Sequence, residues 1–338
     1  MKNKLPQFLL ALVVVLLAIT FFYFQNEKEL YKQQVISDLR KQHEYFLANS
    51  PFKKTLQLSK SERKAQGIPP NKYYEREWEL TMNPATGFPE PNKVLALQKE
   101  RNNTLKRVPG DGDVTNNWVD RGPSNVGGRT RVVLFDPNDE DKNRVFAGGV
   151  SGGLWVNEDI TNSNSSWKLV EGVPGNMNIS CITVDPNNSQ IWYIGTGEQY
   201  MYGAAVGNGV YKTTNGGNNW VNVHVQLAGG GNSGNDFAGL YFINDIIAWD
   251  NAGSTVLFIG VGSHYYYNSS NPRDWLGKQN AGLYTSIDQG TNWSRIETPN
   301  LKLSPTSSYF IIPNDFEIST DNKIWMGTIG TPIGSNGG

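Results

Sequence analysis

The sequence predicts an all-β fold of the β-propeller class, with four-stranded blades, behind a signal or membrane segment and a mostly helical extension. Three observations carry the prediction. Pairs of strand-like runs recur four times, marked by Asp136, Asp185, Asp250 and Asp321 at separations of 49, 65 and 71 residues. A tight-turn motif follows two of the pairs, reading Thr-Thr-Asn-Gly-Gly-Asn-Asn-Trp at 213–220 and Ser-Ile-Asp-Gln-Gly-Thr-Asn-Trp at 286–293. Composition agrees: of 338 residues, 36 are Gly, 10 Trp and 15 Tyr, a balance suited to short strands and many turns.

Residues 1–24 carry Lys2 and Lys4 and then a 17-residue uncharged apolar run, Phe8 to Phe24. That length lies between a signal-peptide core and a membrane span, so the segment reads as a signal peptide or an uncleaved anchor. Either places the remainder outside the cytoplasm, since the basic flank stays inside. Residues 25–107 are polar and helix-prone and read as a spacer whose charges form a solvated face. Within it, Ser59 and Glu62 have capping-box spacing, and a last helix is expected near Val94–Arg101.

The blades occupy residues 118–338. First strands run through Val132–Phe135, Ile182–Val184, Ile246–Trp249 and Phe316–Ser319. Second strands follow at Arg144–Gly148, Ile191–Gly195, Val256–Gly260 and Ile324–Gly327. Third strands begin at Gly153, Gly209 and Gly282, and fourth strands are expected to contain Trp167, Trp220 and Trp293. The strands are mostly apolar, as expected when both faces pack on neighbours. The strand-four tryptophans and strand-two aromatics read as inter-blade core. About three and a half blades are present, which leads us to expect the N-terminal part of a longer chain with an open ring.

Each turn motif has a physical logic. Asp288 or Asn215 accepts backbone N–H bonds, Ser286 or Thr213 adds a side-chain bond, Gly290 or Gly217 takes a positive φ, and Trp293 or Trp220 leaves the turn with a ring to bury. This pattern resembles the Asp-box, or bacterial neuraminidase repeat, of β-propellers in sialidases, sortilin-type receptors and several glycosidases. Three segments extend the resemblance to sortilin-like propellers of large secreted Bacteroidetes-type proteins. They are Trp118-Val119-Asp120-Arg121-Gly122-Pro123-Ser124-Asn125-Val126-Gly127-Gly128-Arg129, Gly152-Gly153-Leu154-Trp155 and Ile194-Gly195-Thr196-Gly197-Glu198, and the likeness spans roughly residues 70–338. It implies a secreted or envelope-anchored fold more than a chemistry.

Two enzyme families share less. The sialidase Arg motif before the first blade is absent from Gly127-Gly128-Arg129-Thr130-Arg131. In xyloglucan-cleaving propellers a catalytic Asp precedes the Gly-Gly of strand three, and here Val150 takes that place.

The loop between strands two and three lengthens from blade to blade, reaching Gly262–Ala281 in the third. These loops share one end of the meander, opposite the Asp-box turns, and that end is the expected functional face. Its candidate ligand-binding residues are Arg129, Arg131, Glu198, Tyr200, Tyr202, His264, Tyr266 and Arg273. Asp236, Phe237, Tyr265, Tyr267 and Trp275 fall on the same face, and packing among loop aromatics is the plainer account of these rings. A glycosidase needs two carboxylates flanking the bond, for which Glu198 and Asp274 are the available pair.

Three histidines, His43, His224 and His264, share no metal-ligand spacing, and neither metal nor cofactor is expected. The single Cys181 allows no intrachain disulfide and reads as core. A net charge of −1 gives no argument for nucleic acid. The expected function is an extracytoplasmic module binding protein, peptide or glycan, with a glycoside hydrolase as the alternative. A membrane contact would run through residues 1–24.

Overall fold

The architecture comes from a computed structural model. It describes residues 33–50, 57–66 and 93–105, the single residues 20, 27, 30, 31, 53, 55, 75, 76, 79, 80 and 83, and residues 129–329 except 151, 200–204, 224–235, 238–239 and 267–273. Only the backbone is described for 95, 101–105, 236–237, 265–266 and 274–276. The expected signal or anchor segment lies, but for Thr20, outside the described residues, among which no helix is long and apolar enough to cross a membrane.

The chain divides into two compact units, 1–89 and 90–338. In the first, residues 33–48 are helical, and α1 (Lys60–Ala65) opens with the capping box that the sequence predicts. Glu62 N–H donates to Ser59 Oγ at 3.3 Å and Ser59 N–H to Glu62 Oε2 at 2.7 Å. The expectation of a wholly solvated charged face fails here. Arg63 and Glu75 are both buried and form an ion pair, since burying a charge is costly unless it is paired and hydrogen-bonded.

The second unit begins with α2 (Val94–Leu105) and continues into sheets. Blade one is β1 (Thr130–Phe135), β2 (Val145–Gly149), β3 (Leu154–Asn157) and β4 (Lys168–Leu169). Blade two is β5 (Ile179–Asp185), β6 (Asn188–Thr196), β7 (Val210–Thr213) and β8 (Val221–Asn222). Blade three is β10 (Ile243–Asn251), β11 (Ser254–Val261), β14 (Gly282–Ser286) and β15 (Ser294–Arg295). A two-stranded sheet of β16 (Ile312–Ile318) and β17 (Ile324–Ile329) follows. All these ladders are antiparallel meanders, as in consecutive blades of a β-propeller.

The interruption of blade three differs from expectation. Where a loop was predicted, β12 (His264–Tyr266) and β13 (Asp274–Leu276) pair antiparallel, and β13 pairs in parallel with β9 (Asp236–Phe237). The aromatic residues Tyr265, Tyr266 and Trp275 have strand propensity that a reading based on loop length overlooks.

The sheets bury their faces against one another. Between blades one and two lie Val132, Phe146, Leu154, Ile179, Trp192 and Tyr211; between blades two and three lie Cys181, Tyr193, Val210, Ile243, Leu257 and Ile259. Trp167, 41% exposed, and Trp325, 65% exposed, depart from their expected core role. Trp167 follows a longer turn organised by Asn157 Oδ1, which accepts from Asp159 N–H at 3.0 Å and Ser165 Oγ at 2.7 Å, and that turn does not fold the ring inward. Trp325 lies on a face that no described sheet covers. The same holds for Val133 and Phe135, 60% and 53% exposed on β1, so the expectation of two packed faces fails for the end sheets.

The two motif turns share one hydrogen-bond scheme. Gly217 N–H donates to Thr213 Oγ1 (3.1 Å) and Asn219 N–H to Asn215 Oδ1 (2.9 Å). Gly290 N–H donates to Ser286 Oγ (2.9 Å) and Asn292 N–H to Asp288 Oδ1 (2.8 Å). The Asn292 backbone and amide bonds and the Ser286 hydroxyl hold the Asp288 carboxyl down at about 2. Gly217 and Gly290 take φ of 82° and 85°. The fourth strands start one residue after the tryptophans rather than containing them. Trp220 shows why: its Nε1–H donates back to Gly217 O at 3.0 Å and keeps the ring within the turn.

Every first strand carries a bulge near its start, between Thr130 and Val132, Ile179 and Cys181, Ile243 and Asp245, and Pro313 and Asp315. The extra residues are Arg131, Ser180, Asn244 and Asn314. Two of them reach the next blade: Ser180 Oγ donates to Ile243 O, and Asn244 Nδ2 to Pro313 O at 3.0 Å.

Beside the third bulge, Asp245 accepts from Phe316 N–H across the blade boundary at 2.7 Å. Burial, with Asp315 and Glu317 nearby, pushes its pKa up to about 6 against the bonds from Ile246 and Phe316. The folded state therefore holds a proton over a window, from about 4 to 6, in which the unfolded chain has released it. This group contributes stability that grows as pH falls through 6. Asp245→Asn keeps an acceptor for Phe316 and removes the charge. The variant should gain on wild type as pH rises from about 4 to 6 and hold that gain above. Paired thermal melts across this range check it, and parallel curves would refute it.

Candidate functional site

The strand 2–3 loops and the connections between blades do meet at one end. Gly153 N–H donates to Met177 O at 2.8 Å, and Val150 N–H to Arg129 O at 3.1 Å. After β6 the chain turns at Gly197, whose φ of 95° and 3.2 Å bond to Asn178 O bring Glu198 under the start of β1. Glu198 and Ala205 exchange backbone bonds at 2.8 and 2.9 Å and close the neck of the blade-two loop.

Three predicted residues converge here. The Glu198 carboxylate is 4% exposed and pairs through Oε2 with Arg129 Nη2. Its Oε1 lies 4.0 Å from Arg131 Nη1, the bulge residue of β1. Asn178 Nδ2 donates to Glu198 Oε2 at 3.3 Å, and Glu198 Oε1 and Asn178 Oδ1 are buried with no hydrogen-bond partner among the described residues. The arrangement is one buried anion beneath two half-exposed guanidinium groups. It fixes both arginines at the rim of the loop face.

The other candidates fall elsewhere. Tyr200, Tyr202 and Arg273 lie outside the described residues. Tyr266 and Asp274 pair across β12 and β13, with only their backbones described, so the accessory sheet joins the blade-three insertion to Asp236 and Phe237. His264 sets its ring edge-on to Phe242 at 6.4 Å, and burial pushes its pKa down to about 4, which leaves it neutral at pH 7.

Sequence reasoning missed Asn178 and Gln199. Gln199 is buried, and its Oε1 accepts from Ser263 N–H at 2.8 Å, tying the loops of blades two and three together. A polar residue adjoining a strand end is the only sequence signal either offered.

A cavity of about 540 Å³ lies at the opposite end, lined by Asp136, Asp139, Glu158, Asp159, Arg144 and Asn218 among others. Its polar groups serve the fold. Arg144 bonds Asp136 (2.8 Å), Glu158 (3.0 Å), Gly216 O (3.0 Å) and Asn218 (3.0 Å), so blade one clasps the blade-two turn. Asp139 accepts from Asn143 and Arg144 N–H at 2.7 Å each. Among the described residues, no group of three or more His, Cys, Asp or Glu is placed to hold a metal ion.

No family model and no curated protein matches the chain. Among solved structures it is similar to an ancestral GH74 enzyme at 20% identity over 60% of this chain and 22% of that one, with a TM-score of 0.40. It is similar to the GH74 xyloglucanase from Xanthomonas campestris at 15% over 62% and 35%, TM-score 0.31. It is also similar to the extracellular domain of a one component system from B. thetaiotaomicron at 14% over 62% and 27%, TM-score 0.30. The chain thus spans between about a fifth and a third of the length of these structures, and at such scores the likeness assigns no activity.

Proposed function

We propose that the chain is an Asp-box, sortilin-like β-propeller that acts as an extracytoplasmic binding module and takes a protein, peptide or glycan ligand on its strand 2–3 loop face. The observation that carries this reading is the concentration of additions at one end. The Arg129–Glu198–Arg131 cluster lies there, and the blade-three insertion builds a sheet of its own. Turns at the other end consume their polar groups internally. Catalysis is disfavoured because Glu198 is engaged by Arg129 and Asn178, whereas a glycosidase needs two carboxylates available to the bond. In this reading residues 1–24 export or anchor the module.

Glycan and peptide arrays, run beside a polysaccharide-hydrolysis screen on the full chain, test the proposal. The expected result is binding without turnover, weakened at least about tenfold when Arg129 and Arg131 are both replaced by Ala. Release of reducing sugar that Glu198→Gln or Asp274→Asn abolishes would overturn the proposal in favour of a glycoside hydrolase.

A further inference from the structure

The connection between blades one and two, residues 170–178, holds a side chain that comes from outside the blades. Gln98 of α2, which belongs to the same compact unit, lays its carboxamide on it. Gly175 N–H donates to Gln98 Oε1 at 3.1 Å, and Gln98 Nε2 donates to Asn176 Oδ1 at 2.9 Å. Chemistry fixes these orientations. A backbone N–H can only donate, so the oxygen of Gln98 faces Gly175, its nitrogen faces Asn176, and Asn176 presents its own oxygen. One donor and one acceptor thus stand side by side on the loop face.

The seat is rigid. Met177 N–H donates to Pro174 O at 3.0 Å, and Gly153 N–H donates to Met177 O at 2.8 Å. A Cβ on Gly153 would stand 3.1 Å from the Gly175 backbone, and one on Gly175 would stand 2.8 Å from Leu169 Cδ2. The helix is attached more lightly. Ala96, Leu97, Lys99 and Glu100 are exposed, Leu97 by 60%, while Val94 and Gln98, one turn apart, are half-buried. Among the described side chains of α2 none is fully buried, whereas helices in proteins are held chiefly by a packed apolar face. A neutral hydrogen bond within reach of water shifts an equilibrium by about fivefold, so two of them hold a helix that can lift.

We propose that Gly175 N–H and Asn176 Oδ1 form a carboxamide-reading site, that Gln98 occupies it within the chain, and that a partner peptide presenting a Gln or Asn side chain displaces α2 from it. The inference rests on the loop face being the binding face and names the ligand there as a peptide. The two protein groups come from adjacent residues and grip one carboxamide from one side. A primary carboxamide offers its C=O and an N–H on one side. The trans amide of an N-acetylated sugar, like that of a peptide backbone, turns them to opposite sides. The site also lies two residues before Asn178, whose Nδ2 reaches Glu198 Oε2, so its occupant sits beside the Arg129–Glu198–Arg131 cluster along the chain.

In the full chain, Gln98→Ala should keep the wild-type melting temperature and speed hydrogen exchange of the Gly175 amide at least about fivefold. The Gly153 amide, bonded to Met177 O of the same loop, should keep its protection. A synthetic peptide of residues 93–105 should bind the Gln98→Ala chain at least about tenfold more tightly than wild type, where α2 competes at the effective concentration of a tether. The same peptide carrying Gln98→Glu, which has no N–H for Asn176, and a tetramer of N-acetylglucosamine should fail to compete with it. An unchanged Gly175 amide, or loss of protection at Gly153 along with it, would make α2 part of the blade framework and overturn the proposal. Absence of peptide binding, equal binding of the two peptides, or competition by the sugar would overturn it as well. A glycan found on the arrays without binding of the peptide would sink this inference alone and leave the binding-module reading standing.

Discussion

Trp192→Ala should lower the stability of the blade unit by about 3–5 kcal/mol, the range for emptying a buried aromatic site. The ring is fully buried between blades one and two, edge-on to Phe146 at 5.1 Å and to Trp220 at 6.5 Å. Its Nε1–H donates to Ser189 O at 2.6 Å, so truncation also removes a bond. The surroundings cannot close over the gap easily. Gly217, at φ 82°, brings its backbone so near that a Cβ would be 2.7 Å from Trp192 and 2.6 Å from Phe146. The turn is thus seated on the two rings and cannot advance without giving up its own hydrogen bonds. For a unit of this size the melting temperature should fall on the order of 10 °C. Ile287→Ala, at a residue 81% exposed, should change stability by no more than about 0.5 kcal/mol. Denaturant melts of the two variants beside wild type decide it, and comparable losses would mean that the inter-blade core is not where the stability resides.

The legible parts of the fold were those that local chemistry dictates. The turns at 213–220 and 286–293 require side-chain acceptors, a left-handed glycine and a terminal ring, and each requirement leaves a letter in the sequence. Strand order followed from those turns and from the apolar runs between them. What local chemistry does not dictate was missed. The exposure of Trp167 and Trp325 depends on whether a neighbouring sheet covers the face, which a strand's own residues do not encode. The parallel pairing of β9 with β13 joins segments some forty positions apart with no turn to announce it.

The site was legible in the same partial way. Arg129, Arg131 and Glu198 fall at strand ends on one face, which the sequence pattern shows, and the fold brings them together. The role of Glu198 is set by distance to two arginines about 70 positions away, information that belongs to the packing of blade on blade. Asn178 donates to Val150 O of blade one and Gln199 accepts from Ser263 N–H of blade three, contacts set by the same packing of blade on blade, and in the sequence both look like ordinary loop residues.

The last expectation concerns the N-terminal unit, where the buried Arg63–Glu75 pair departs from a wholly solvated charged face. Glu75→Gln should destabilise that unit by about 3–5 kcal/mol, because it leaves a buried guanidinium without its anion. Arg63 and Glu75 side chains are 3% and 5% exposed. Thr55 joins the group: its hydroxyl donates to Glu75 Oε1 at 2.8 Å and its carbonyl accepts from Arg63 Nη1 at 3.0 Å. Desolvating both ions is costly, and their attraction together with these bonds offsets it only while both are present. The double variant Arg63→Met with Glu75→Leu should therefore recover much of what either single change loses. Hydrogen-exchange protection across residues 33–66 in the full chain measures each variant on the unit itself. Single changes that cost under about 1 kcal/mol, as exposed ion pairs do, would return the extension to the solvated spacer that its composition suggests.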